Sequence, residues 1–156
     1  MNWETIKSKI YLYEGQLKEI VVYNTSEEYW KKWIEYVNDN YKLEWNYYDE
    51  MKFNKIDFNR IKYFWDHPEK CYQTSCIFYI DNIQIGECFW EPNTLVNFFW
   101  PYDIITENNH NKIIEYMKNV SKIMENDIFL NDENQSRNQL FCYQMKINNN
   151  IIEYNI

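Results

Sequence analysis

The chain has 156 residues, of which 46% are hydrophobic and 20% aromatic, and it carries a formal net charge of −8. That length fits one domain, residues 1–156, and the apolar content excludes a disordered chain because it can offset the entropy of ordering. The negative balance argues against nucleic acid or an anionic membrane as ligand, and two glycines in all leave no phosphate-cradling loop for a P-loop or a dinucleotide fingerprint.

The first element is predicted as a hairpin, with strands "KIYLY" and "LKEIVVY" around Glu14-Gly15-Gln16. Thr25 and Glu28 then have capping-box spacing and open a helix, whose Trp30, Trp33, Ile34 and Val37 form one apolar stripe that reads as core. "LEWNYY" alternates as a half-buried strand. Residues 49–70 read as a charged connection with room for a short helical turn. Its apolar Phe53, Ile56, Phe58, Ile61, Phe64 and Trp65 argue against a linker between domains.

A meander is expected next. "TSCIFYI" turns through Asp81-Asn82 into "IQIGECFW", which turns through Glu91-Pro92-Asn93 into "TLVNFFW". Gly86 in the middle strand is a candidate bulge, and Pro101 ends the third strand. A second helix is predicted over about Glu107 to Glu125, with Ile113, Met117, Val120 and Met124 on its buried stripe. "DIFLN", "LFCYQMKI" and "IIEY" follow as strands, the last two joined by a turn at residues 148–150. Strands beside strands, interrupted by helices, give an α+β fold: a mainly antiparallel sheet with about two main helices packed on it.

Heavy use of Asn, Ile, Lys and Tyr, with no alanine, points to an AT-rich, bacterial coding sequence. "MNWETIKSKIYLYEGQLKEI" lacks a basic region followed by an apolar core, and no apolar run reaches bilayer-spanning length. The expected location is therefore cytoplasmic, with Cys71, Cys76, Cys88 and Cys142 as reduced thiols, mostly in the core.

For chemistry the sequence offers little. His67 and His110, both in polar segments, read as surface residues rather than bases. His67, Cys71 and Cys76 have gaps that superficially resemble a zinc half-site, but no second pair completes it, so no metal and no cofactor is expected. Paired carboxylates are abundant, and both members of Asp132-Glu133 look solvated. Glu87 lies in an apolar strand, either on its exposed face or as a buried acid, and exposure is the expectation.

The charge map is more informative. Residues 71–111 contain no Lys or Arg, while Asp81, Glu87, Glu91, Asp103 and Glu107 all fall inside. "CFWEPNTLVNFFWPYD" adds Phe89, Trp90, Phe98, Phe99, Trp100 and Tyr102, and strand alternation must turn some of these outward. Outward aromatics beside carboxylates are the ingredients of a hot spot for a basic partner. Trp90, Glu91, Trp100, Tyr102, Asp103, Asp132 and Glu133 are the candidate contacts.

The segment from "TSCIFYI" through "HNKIIEYMKNVSKIMENDIFLNDENQ", with its aromatic meander, helix, strand and acidic Glu133-Asn134 step, resembles the small immunity proteins of bacterial polymorphic toxin systems. The resemblance implies a single-domain cytoplasmic inhibitor, not an enzyme, that binds and neutralises a cognate basic toxin domain, in many cases a nuclease. The alternative is a small enzyme or ligand-binding domain with an aromatic-lined pocket enclosing a carboxylate such as Glu87 or Glu91.

Overall fold

The computed structural model describes residues 1–47, 51–70, 74–133, 144–148 and 150–156. The fold is α+β, as the order of elements predicts. Its strands are β1 (Lys18–Tyr23), β2 (Leu43–Tyr47), β3 (Lys52–Phe53), β4 (Thr74–Ile80), β5 (Ile83–Glu87), β6 (Thr94–Phe99), β7 (Ile128–Asp132), β8 (Gln144–Asn148) and β9 (Ile151–Asn155). They form one sheet in the order β3-β2-β4-β5-β6-β1-β7-β8-β9, and every neighbouring pair is antiparallel. The α-helices are α1 (Trp3–Lys9), α2 (Glu27–Asn40), α3 (Phe58–Asp66) and α4 (Glu107–Met124), and single 3-10 turns at Pro68–Lys70 and Pro101–Asp103 complete the described elements.

All four helices lie over one face. Trp33 of α2 and Tyr116 of α4 pack on Phe78 of β4, with ring centroids 6.1 and 5.7 Å away. Trp65 of α3 packs on Trp30 of α2, and Tyr11, just beyond α1, packs on Phe99 of β6. The expected stripes are buried, Trp30, Trp33, Ile34 and Val37 on α2 and Ile113, Met117, Val120 and Met124 on α4. Alternation sends the other residues of each strand to the opposite face, which in the β4-β5-β6 region carries no helix among the described residues. Val21, Asn131 and Gln144 are nonetheless buried on the opposite face toward β1, β7 and β8.

Several expectations are corrected. "KIYLY" is not a strand: α1 takes its first residue, started by Asn2, whose side chain accepts from the Thr5 N–H at 2.9 Å, with Glu4 in the first turn and Lys7 and Lys9 in the last. The capping box at Thr25 and Glu28 does not form. Ser26 precedes α2 instead, and the Thr25 hydroxyl is buried without a hydrogen-bond partner. A true capping box joins Thr106 and Asn109 at the start of α4. The connection over residues 49–70 contains β3 and α3, the latter capped by Asp57. Residues 140–143 of the "LFCYQMKI" strand, Tyr48 of "LEWNYY", Cys71, Cys142 and Asn134 lie outside the described residues.

Gly86 is no bulge either. It pairs in unbroken register with Ile77 on one side and Phe98 on the other. Its lack of a Cβ serves the Phe98 ring, which lies across it: a Cβ there would meet Phe98 Cζ at 2.8 Å. At the next hairpin, Asp81 takes φ +54° and Ile80 pairs with Ile83, the two-residue turn that Asp81-Asn82 predicts.

Candidate functional site

The candidate site is built where the chain leaves β5 and β6. Beyond Glu87, Phe89 adopts φ +53°, a left-handed conformation that an aromatic residue takes only when its surroundings impose it. Those surroundings are visible: the Phe89 N–H donates to Glu87 Oε1 at 2.9 Å, and Trp65 Nε1 donates to its carbonyl at 2.8 Å. Its ring is fully buried beside Trp30 and Trp33. The next residue, Trp90, stays 63% exposed and stacks on Phe98 of β6 with planes 17° apart.

At the other end of β6, the buried Pro101 closes the strand and starts a tight turn, in which the Asp103 N–H donates to the Trp100 carbonyl at 3.0 Å. The turn sets the Trp100 and Tyr102 rings nearly parallel, 8° apart at 5.4 Å, both open to solvent. Tyr13 stands edge-on to both, at 6.1 and 5.2 Å. Phe98 and Trp100, with Leu17, Ile77, Gly86 and Cys88, line a depression of about 350 Å³. Among the described residues no carboxylate lines it.

The acidic candidates divide. Asp103 is half-buried beside the ring corner, and burial raises its carboxyl above the usual carboxylate range. Asp132 and Glu133 reach the same end of the sheet, because Lys18 pairs with Phe99 on one side and Asp132 on the other. Neither is freely solvated. Asp132 forms an ion pair with Lys18, which is itself 2% exposed. Glu133 accepts the Leu17 N–H at 3.2 Å, while its own N–H donates to the Leu17 carbonyl at 3.1 Å. Glu91 is exposed but bridges to Thr94 at the far end of β6, roughly 16 Å of strand away from Phe99.

Searches of protein-family models, curated proteins and solved structures found no match to this chain. The site is therefore read from its own chemistry.

Glu87 is buried rather than exposed, and on the helix side of the sheet. Its Oε2 accepts from Asn97 Nδ2 at 2.7 Å; the Tyr116 hydroxyl donates to Asn97 Oδ1 at 2.5 Å, and Trp33 Nε1 donates to Tyr116 at 3.0 Å. Desolvation pushes the Glu87 carboxyl up to about 8, against the pull of its hydrogen bonds. His110 is likewise buried rather than on the surface. Its Nδ1 lies 2.8 Å from the Tyr11 hydroxyl and its Nε2 3.2 Å from the Tyr154 hydroxyl, and burial lowers its pKa to about 4. Cys76 is buried under the same layer, with its thiol pushed up by burial. Among the described residues no three His, Cys, Asp or Glu side chains cluster as metal ligands, and no helix is long and apolar enough to cross a membrane.

The ring corner thus brings together Trp100, Tyr102 and Asp103, with Trp90 on the same face; Asp132 and Glu133 reach that end of the sheet, Asp132 on the helix side with Lys18, and Glu91 lies at the far end of β6. Sequence reasoning missed Tyr13. No local signal marks it, since its neighbours Trp100 and Tyr102 are distant in the chain.

Proposed function

We propose that this protein is a non-enzymatic binding protein, an immunity protein that neutralises a cognate basic toxin domain by docking it on the helix-free face of the sheet. The observation that carries the reading is the row Trp90, Phe98, Trp100, Tyr102 and Tyr13, solvent-accessible, with Asp103 in the same turn and Glu133 bonded to Leu17, which lines the same depression as Trp100. Exposed tryptophan and tyrosine carry large apolar area at small entropic cost and anchor interfaces out of proportion to their number. Asp103, with the net charge of −8, favours a basic partner and speeds its approach. The resemblance to immunity proteins supplies the biological class.

The test is to express the products of the genes that flank this one and co-express any toxic domain among them with this protein. The reading expects the two chains to co-purify and host cells to survive the toxin. A Trp90→Ala, Trp100→Ala double variant should lose both while remaining folded. Survival with no complex, or a complex indifferent to both tryptophans, sinks it.

A further inference from the structure

The corner made by Tyr13, Trp100 and Tyr102 is more defined than a flat apolar patch. Two rings stack 8° from parallel and the third stands at 74° and 79° to them. All three remain open, Trp100 at 37%, Tyr102 at 52% and Tyr13 at 49%. Exposed rings that already stack on one another keep a fixed, flat surface, so a ligand finds them with little further ordering.

The ring faces and the Asp103 carboxylate of the corner attract positive charge. Aromatic faces carry negative quadrupole potential. Burial first, then the nearby Asp103 carboxylate and Tyr13 hydroxyl, raise the Tyr102 hydroxyl's pKa. The Asp103 carboxylate has no ion pair and no side-chain hydrogen bond among the described residues. It is half-buried, with no partner among the described residues to compensate the lost hydration, so its charged form gains from any cation brought against it. Residues 71–111 hold no Lys or Arg, and Lys18, across the sheet end, is paired with Asp132.

We propose that Tyr13, Trp100, Tyr102 and Asp103 form a receptor for a guanidinium group, an arginine side chain on the surface of the partner protein. The proposal rests on the partner-binding reading above and names the partner's chemistry. Arginine fits better than lysine for a geometric reason. Guanidinium is planar and weakly hydrated, so it lies flat on an exposed ring while an N–H edge reaches the carboxylate. An ammonium group is compact and keeps its water. The parallel rings offer a flat surface, and Asp103 follows Tyr102 at its edge.

The experiment titrates the whole protein with three small probes: N-acetylarginine methylamide, its lysine counterpart, and the citrulline counterpart, which is planar but uncharged. Backbone amide and indole N–H shifts are followed by NMR. The arginine probe should shift the Trp100 indole and the amides around Tyr13 and Tyr102, binding about three- to fivefold tighter than either control. Asp103→Asn should bring the arginine probe down to the citrulline level, and Tyr102→Leu should remove the Trp100 shift, with melting temperatures unchanged at these exposed or half-exposed positions. Equal affinity for all three probes, or shifts that map elsewhere, overturns the assignment. The titration needs no partner, so a negative result removes the arginine receptor alone, while co-purification decides the partner reading separately.

Discussion

Asn97 donates from Nδ2 to the carboxylate of Glu87 at 2.7 Å, across the paired strands β5 and β6 and beneath the helices. Tyr116 of α4 and Trp33 of α2 continue the chain, so one buried network ties both long helices to the sheet centre. With Glu87 ionised, the Trp33, Tyr116, Asn97 and Phe89 donors along this path all meet acceptors. Desolvation nevertheless outweighs those bonds and holds the carboxyl mostly neutral at pH 7.

This predicts an asymmetric pH profile of stability. Glu87 holds its proton up to about 8 when folded, against an ordinary 4.5, so the fold is penalised progressively as pH rises from 4.5 to 8. His110 works in the opposite sense: its pKa falls from 6.5 to about 4 on folding, so stability is lost as pH drops from 6.5 to 4. The two slopes cancel between 4.5 and 6.5. Above 6.5 only the Glu87 term remains, costing about 2 kcal/mol by pH 8. Urea unfolding at pH 5 to 8 measures it. Glu87→Gln should flatten the limb above 6.5, and His110→Gln should extend the Glu87 slope down toward 4.5. An unchanged slope in Glu87→Gln refutes the account.

The Lys18–Asp132 pair changes how the acidic end of the sheet should be probed. Reversing Asp132 removes the partner of a lysine that is 2% exposed. Asp132→Asn should therefore destabilise the fold by about 3 kcal/mol, and Lys18→Met on top of it should recover most of that loss. Chemical denaturation of the single and double variants tests this cycle, and additive losses would contradict it. Partner affinity is better tested at Glu133, whose removal leaves no buried charge behind.

Gly86 should resist substitution for a reason that lies in another residue. Gly86→Ala should cost about 1–3 kcal/mol, because the new methyl meets the Phe98 ring. Phe98→Ala in the same chain should relieve the clash, so that the two losses together fall short of their sum. Thermal melts of the four proteins decide it, and strict additivity would place the cost elsewhere.

If the proposed basic partner is the ligand, its association should slow as salt rises, because Asp103 stands in the ring corner and net charge is −8. Stopped-flow rates between about 0.05 and 0.5 M salt give the slope. Trp100→Ala should act mainly on dissociation, raising it at least about tenfold for a central anchor. A salt-independent on-rate would remove the electrostatic part of the mechanism and leave the aromatic part standing.

The residues that repeat with a clear period needed no tertiary information. The stripes of α2 and α4 and the alternation of β4 and β6 are each written in a single segment, because burial of one face imposes a period of 3.6 or 2 on the chain. Short helices escaped: seven residues of α1 and nine of α3 span too few turns for a stripe to stand out. Pattern marked the apolar strand holding Glu87 without saying which face its carboxylate joins, since that depends on register with β4 and β6. Asp132 and Glu133 looked solvated by composition, and only the pairing of β7 with β1 turned them onto Lys18 and Leu17. By itself the sequence determined an α+β domain with an aromatic core and a cation-free, ring-rich segment. Tertiary structure alone brought Tyr13 against Trp100 and left those rings uncovered, because what meets across a sheet is set by strand order, which no local stretch of chain encodes.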